Sequence, residues 1–329
     1  MLPFVKQLLT WQFIYNNLEK NIPVMLLYVL ESKGSSPGRQ GFSMAVNARH
    51  EMEGSIGGGI MEHKFVEMAV EKLRVMSSEL RVSSIKKQVH DKGSAANQSG
   101  MICSGEQTIL LYPVNEQDLP VIQQLIVSLQ QHNNGALRLS PDGIHFGETI
   151  PVADFSFSFT DEQNWLYEEK TGYKNKLFIV GGGHCSLALS RLMASLDFYI
   201  HVLDDREHLK TLSENDAAHI KQVVDDYSAI GNLIPSGNNH YVVVMTFGYR
   251  SDDIAVRSVL QNQYRYLGVM GSKKKMETLF AQYRNEGLDE TVLQLIHTPA
   301  GLPISSQTPE EIAVSIAAEI IRVKNKPAV

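Results

Sequence analysis

The apolar run Leu177-Phe178-Ile179-Val180 passes directly into Gly181-Gly182-Gly183-His184-Cys185-Ser186, and this junction restricts the fold more than any other stretch. Four consecutive apolar residues read as a buried strand. A glycine directly after it permits a sharp turn, and a second glycine lets a phosphate approach the backbone. The helix that follows offers its N-terminal N–H groups and the positive end of its dipole to an anion. The turn departs from the Gly-x-Gly-x-x-Gly pattern at its last position, where Ser186 is still small enough to keep helix and strand close. The next strand, Tyr199 to Leu203, ends at Asp204-Asp205, roughly twenty residues past Gly181, where a carboxylate would accept hydrogen bonds from ribose hydroxyls. Arg206 beside them would instead meet a phosphate. Gly181, Gly183, His184, Asp204 and Asp205 are therefore the expected contacts of a nucleotide-like ligand. The plain alternative is a tight strand–helix connection that holds nothing, with His184 only capping the turn.

Strands and helices continue to alternate past this point. Leu187 to Leu196 reads as a helix, and Tyr241 to Met245 and Tyr266 to Met270 read as further strands separated by helical segments. The alternation predicts a Rossmann-type, doubly wound parallel sheet with helices on both faces over 176–329. Its last helix carries a start signal, with Thr308 as N-cap, Pro309 at the first helical position and Glu311 closing a capping box. Gly271-Ser272-Lys273-Lys274-Lys275 places three lysines in a first helical turn. They oppose the helix dipole unless an anion lies nearby, and otherwise they are simply solvated.

The first half is α/β by a different pattern. Phe4, Leu8, Trp11, Tyr15 and Leu18 mark one face of an opening helix. Val24 to Leu30, Ser43 to Ala48 and Thr108 to Tyr112 read as strands, with a helix from Ile60 to about Met76. A second glycine cluster, Gly54-Ser55-Ile56-Gly57-Gly58-Gly59, precedes that helix and leaves backbone N–H groups unshielded. It forms either an anion nest or a structural loop. Upstream, Gly34-Ser35-Ser36-Pro37-Gly38-Arg39 is a turn with one cation, Arg39. Cys103, in Met101-Ile102-Cys103-Ser104-Gly105, is by composition a buried structural cysteine before it is a reactive thiolate. Cys185 faces the same choice. Between Asn115 and Lys176 the periodicity weakens, leaving a helix from Pro120 to Gln131 and a Phe155-Ser156-Phe157-Ser158-Phe159 alternation. The expected organisation is an N-terminal domain over 1–114, an intermediate segment and linker over 115–175, and the Rossmann-type domain over 176–329.

Composition excludes several classes. The 329 residues carry 30 Lys and Arg against 36 Asp and Glu, a formal net charge of -6, so no field favours nucleic acid or an anionic membrane. The 2 cysteines are too few for a disulfide framework and form no zinc spacing. With no apolar run long enough to span a bilayer and only Lys6 ahead of an amphipathic stretch, a cytoplasmic protein is the expectation.

Taken together, Gly34 to Met44, Gly54 to Glu62, Cys103 to Gly105, Ile179 to Arg206, Gly268 to Lys274 and Pro299 to Glu319 resemble the xanthine dehydrogenase accessory proteins of the XdhC/CoxI type, over nearly the whole chain. The resemblance implies an XdhC/CoxI-like N-terminal α/β domain joined to the Rossmann domain. It also implies binding of molybdenum cofactor (molybdopterin) while its sulfido ligand is installed, and insertion into apo-xanthine dehydrogenase in purine catabolism. A cysteine desulfurase would supply the sulfur, and a homo-oligomer is the expected assembly. Cys103 then becomes a molybdenum-facing thiolate and the metal contact. Gly57, Gly58 and Gly59 become a cradle for the pterin phosphate, with Glu62 following and Arg39 beside it. Three positions depart from the family pattern. Its Pro-Arg pair is Pro37-Gly38 here, its Cys-Gly-Gly-like motif is Cys103-Ser104-Gly105, and its Thr-His is Thr246-Phe247. Phe247 has no proton to exchange, so no acid–base role attaches to that position.

Two other functions compete. An NAD(P)-dependent oxidoreductase would use the Rossmann half, with His184 or His297 as proton donor. A noncatalytic assembly scaffold would hold no small ligand.

Overall fold

A computed structural model describes residues 5–75, 83–89 and 105–326. They form two compact units, one running through Gly172 and the other beginning at Tyr173.

The first unit opens with α1 (Gln7–Leu18), then β1 (Val24–Gly34), β2 (Ser43–Asn47), β3 (Met52–Gly54), α2 (Gly59–Val75), β4 (Ser84–Val89) and β5 (Gly105–Val114). The five strands make an antiparallel sheet in the order β3-β2-β1-β5-β4. Strand β1 is central, and seven successive residues from Val24 to Leu30 are buried because both faces of the sheet are covered. Met25, Leu27, Val29, Ile109 and Leu111 meet Phe65, Ala69 and Leu73 of α2 on one face. After α3 (Leu119–Gln130) comes a second antiparallel sheet of β6 (Gly135–Ser140), β7 (Gly143–Gly147), β8 (Phe155–Asp161) and β9 (Asn164–Thr171), in the order β7-β6-β9-β8. Only the β8 alternation of this sheet is evident in the sequence. Strand β9 buries Glu169, at 1% exposure, where it accepts hydrogen bonds from the hydroxyls of Tyr28 and Tyr167 and from Gln7.

The second unit runs β10 (Asn175–Val180), α4 (His184–Ala194), β11 (Phe198–Asp204), α5 (Lys210–Ser213), β12 (Ile220–Val223), α6 (Ile230–Leu233), β13 (Gly237–Val244), α7 (Tyr249–Val259), β14 (Tyr264–Val269), α8 (Lys273–Asn285), α9 (Glu290–Leu293), β15 (Ile296–His297) and α10 (Pro309–Lys324). All of its strand pairs are parallel, in the order β12-β11-β10-β13-β14-β15. Counted from β10, this is the 3-2-1-4-5-6 order of the Rossmann fold. The pleat sends Leu177 and Ile179 to one face, against Leu189 and Met193 of α4 and Ile316 and Ile320 of α10. Phe178 and Val180 go to the other face, against Val256 of α7 and Leu279 and Tyr283 of α8. The α/β alternation legible in the sequence is thus a doubly wound sheet. The capping box of α10 forms as expected, Thr308 Oγ1 accepting from the Glu311 amide at 3.2 Å and Glu311 Oε2 from the Thr308 amide at 3.2 Å.

Gly181 closes the turn from β10 at φ +110°, and a Cβ there would lie 2.4 Å from the Met245 carbonyl oxygen. Strand ends β10 and β13 therefore touch backbone to backbone. We expect Gly181→Ala to lose about 2–4 kcal/mol of stability from strained φ and this contact. A urea unfolding midpoint equal to that of the parent would refute the close approach.

Candidate functional site

Chain connections leave β10 and β13 in opposite directions, so a crevice opens beyond their carboxyl ends, where doubly wound sheets receive ligands. A cleft of ≈ 600 Å³ lies there, with Ser186, Arg206, Lys210, Thr246, Phe247 and Met270 in its walls. That volume is in the range of small-ligand sites. His184 is exposed at its rim, and Gly183, the N-cap of α4, is open enough that an added Cβ would meet nothing within 4 Å. The turn thus presents backbone, not side chains, to whatever enters.

Asp204 wires the floor of this cleft. Fully buried at the end of β11, it accepts from the Gly182 amide at 2.6 Å, from the Arg206 amide at 2.9 Å, and from Arg206 Nε and Nη2 at 2.8 and 2.7 Å. Burial alone would raise its carboxyl. Hydrogen bonds from the Arg206 side chain, the Gly182 amide and the Arg206 amide, together with the Arg206 charge, outweigh burial and hold it below the usual carboxylate range. Asp204 is therefore committed to the turn, and the exposed Asp205 is the acid left facing solvent at the strand end, bonded to Tyr227 at 3.1 Å. Cys185 packs at the edge of the α4 core, and burial, with the nearby Glu310 charge, raises its thiol. The helix N-terminus does not make it a thiolate.

The opposite wall is built by contacts that sequence reasoning did not find. Thr246, just past β13, donates its amide at 3.0 Å and its hydroxyl to Oδ1 of Asp252 in the first turn of α7. Asp252 is 1% exposed and pairs through Oδ2 with Lys275 from the first turn of α8. Of the three lysines at that helix start, Lys275 thus has a buried carboxylate for a partner, while Lys273 and Lys274 are exposed. Phe247 projects from this anchored loop with 91% of its surface exposed, and the Arg206 guanidinium lies 5.9 Å from its ring centre. His297 belongs to a separate network, 3.4 Å from Glu319, a buried carboxylate that also accepts from Tyr266, Gly301 and Arg322.

In the first unit, the Gly57–Gly59 cluster has the shape of a nest, with all three glycines at positive φ. The amides of Ile56, Gly57 and Gly58 are taken by the chain itself. Glu62 Oε2 accepts from Ser55 Oγ at 2.7 Å and from the amides of Ile56 and Gly58 at 2.9 Å each. A Cβ on Gly57 would lie 2.4 Å from the Gly38 amide nitrogen, and Gln107 bridges the Gly38 and Ile56 carbonyls at 3.0 and 3.2 Å. The two glycine loops are thus knitted together, and Arg39 is exposed beside them, donating to the Gly34 carbonyl at 2.9 Å. Cys103 lies outside the described residues, as does Ser104. Among the described residues, no group of three or more His, Cys, Asp or Glu is arranged to hold a metal ion, and no helix is long and apolar enough to cross a membrane.

The fold and cleft of the second unit are those of a Rossmann-type domain, which follows a mixed α/β domain in the chain. The XdhC Rossmann domain family matches residues 177–320, and the XdhC and CoxI family matches residues 18–82. The chain belongs to the XdhC and CoxI family. It is 23% identical over 308 residues to the uncharacterised protein YqeB of Escherichia coli strain K12, an alignment that takes in 93% of this chain and 44% of that one. This chain therefore spans less than half the length of YqeB. It is 21% identical to a probable xanthine dehydrogenase subunit of Bacillus subtilis strain 168, over 95% of this chain and 96% of that protein. The crystal structure of a xanthine dehydrogenase from Bacillus halodurans shares the fold with a TM-score of 0.69 at 20% identity, covering 97% of each chain.

Because Asp204 titrates below an unfolded carboxyl, its stabilisation is complete above about pH 4 and is lost as pH falls through the lower native value. Asp204→Asn should cost about 2 kcal/mol at pH 7, with a gap to the parent that narrows toward pH 3. Urea midpoints measured across that interval check this, and a gap independent of pH would exclude the carboxylate as its source.

Proposed function

We propose that this protein is an accessory factor for a xanthine dehydrogenase, holding molybdenum cofactor for sulfuration and insertion and leaving it chemically unchanged. The open cleft over the glycine turn carries this reading. Its walls supply helix N-terminal amides and the cations Arg206 and Lys210 for an anionic ligand. The two buried carboxylates that build those walls are both held as ion pairs, Asp204 with Arg206 and Asp252 with Lys275. Neither is available as a general acid or base, which suits a carrier more than a catalyst. Family membership and the names borne by the relatives from the two Bacillus species support xanthine dehydrogenase as the client.

In this reading the phosphate end of the cofactor lies toward Gly183 and His184. Cys103 is the candidate molybdenum thiolate, and a cysteine desulfurase provides the sulfur. The glycine nest of the first unit serves architecture, since Glu62 fills it. One observation favours a second reading. The 3-2-1-4-5-6 strand order with exposed Asp205 at the end of β11 suits a dinucleotide, as an NAD(P)-dependent oxidoreductase would require.

Protein isolated from cells that make molybdenum cofactor should carry molybdopterin, detectable as its fluorescent oxidation product, and should retain apo-xanthine dehydrogenase in pull-down. Cys103→Ala should lose most of the bound pterin. A fully loaded Cys103→Ala protein removes the thiolate role, and pterin-free parent protein removes the carrier role.

A further inference from the structure

Strand β8 is an edge that its own sequence does nothing to blunt. It closes one side of the β7-β6-β9-β8 sheet, runs seven residues and carries no lysine or proline. Edge strands are ordinarily kept short or charged, because their outward N–H and C=O groups pair with any strand that reaches them. The other described edges follow that rule. Strands β3, β12 and β15 have three, four and two residues, β4 carries Lys86 and Lys87, and the five-residue β7 begins and ends on glycine. The surface around β8 is also apolar. Phe159 is 50% exposed, and so are Ile150 and Val152 just before the strand and Leu166 opposite Ser158 on β9, to similar or greater extents.

The row Phe155-Ser156-Phe157-Ser158-Phe159 reads the same in both directions about Phe157. Its phenylalanines stand opposite Glu169, Tyr167 and Trp165 of β9, all three buried, so the rings continue the covered face of the sheet. Phe155 lies over Gly41, where an added Cβ would come within 2.5 Å of its ring. The cover then thins along the row toward Phe159, whose ring centre is 6.3 Å from that of Phe157. The Lys170 amide donates to the Asp154 carbonyl at 3.0 Å, in the register that sets Phe155 opposite Glu169. Alternate residues of an antiparallel strand turn their backbone groups to alternate sides. Asp154, Ser156 and Ser158 therefore face β9, and Phe157 and Phe159 turn N–H and C=O outward.

We propose that β8 pairs antiparallel with β8 of a second copy of this chain, about a two-fold axis through Phe157, joining two four-stranded sheets into one of eight. Sequence symmetry and charge select both the partner and the register. With the axis at Phe157, this residue exchanges both backbone hydrogen bonds with Phe157 of the partner subunit. Phe159 then stands opposite Phe155 of the partner subunit, and serine meets serine on the other face. Asp154 lies opposite Thr160 of the partner subunit, so no like charges meet. An axis through Ser158 would set Asp154 opposite Glu162 of the partner subunit at both ends, which is repulsive. One through Ser156 would leave Phe159 opposite Ala153 of the partner subunit. A strand of unrelated sequence would complete the hydrogen bonds but not the aromatic row.

Light scattering on a gel-filtration column should give the parent protein twice the mass of one chain. Phe159→Lys places a charge on the edge without opening the core, and should run at the mass of a single chain with an unchanged circular dichroism spectrum. The register is tested by cross-linking in a Cys103→Ser/Cys185→Ser background. Phe157→Cys should form a disulfide-linked dimer in air, since paired Cα atoms across the axis are about 5.5 Å apart. Thr160→Cys should not, because six residues of stagger hold its two copies about 20 Å apart. A parent of single-chain mass overturns the proposal, as does a Phe159→Lys protein that stays dimeric. Thr160→Cys linking as readily as Phe157→Cys overturns the register and with it the two-fold at Phe157.

Discussion

Asp204 holds the second unit's working end in one geometry. A parallel sheet leaves its strand ends as separate loops, each free to settle where its own length allows. Here a single buried carboxylate joins the turn after β10 to Arg206, two residues past β11, using both oxygens and four donors. The arrangement is stable because Arg206 compensates the charge at close range while the amides complete its hydrogen bonding. It also reassigns a residue. The acid at this place in the chain looks like a ribose acceptor, but its lone pairs are already engaged by protein donors. What faces the cleft is the consequence of Asp204, a fixed turn and a fixed arginine, and not Asp204 itself.

What could be read before folding follows from how local each cause is. The β10–α4 junction and the alternation after it are legible because strands buried on both faces are apolar throughout, and glycines mark the turn. The start of α10 is legible because its cap residues are neighbours in sequence. The sheet over 135–171 is largely hidden because β9 reverses the usual code, exposing Leu166 and burying Glu169. That burial is made tolerable by Tyr28 and Gln7, which lie 141 and 162 residues away along the chain. No window of sequence contains both halves of that bargain.

The candidate site residues divide along the same line. Gly181, Gly183 and His184 stand where a strand–turn–helix pattern puts them. Lys275 reads as one solvated lysine among three, because its partner Asp252 is brought to it only when α7 and α8 pack on the same face of the sheet. Phe247 is conspicuous in sequence for the proton it lacks. Its ring becomes meaningful only with its exposure and its rigid support in view.

Glu62 changes what the first unit shows to its surroundings. A bare row of glycine amides is a hollow of positive potential that draws in anions. With Glu62 seated in it, the amides of Ile56 and Gly58 are already satisfied within the loop, and its carboxylate offsets the positive potential they would otherwise present. A phosphate at that loop would have to displace Glu62 from those two amides.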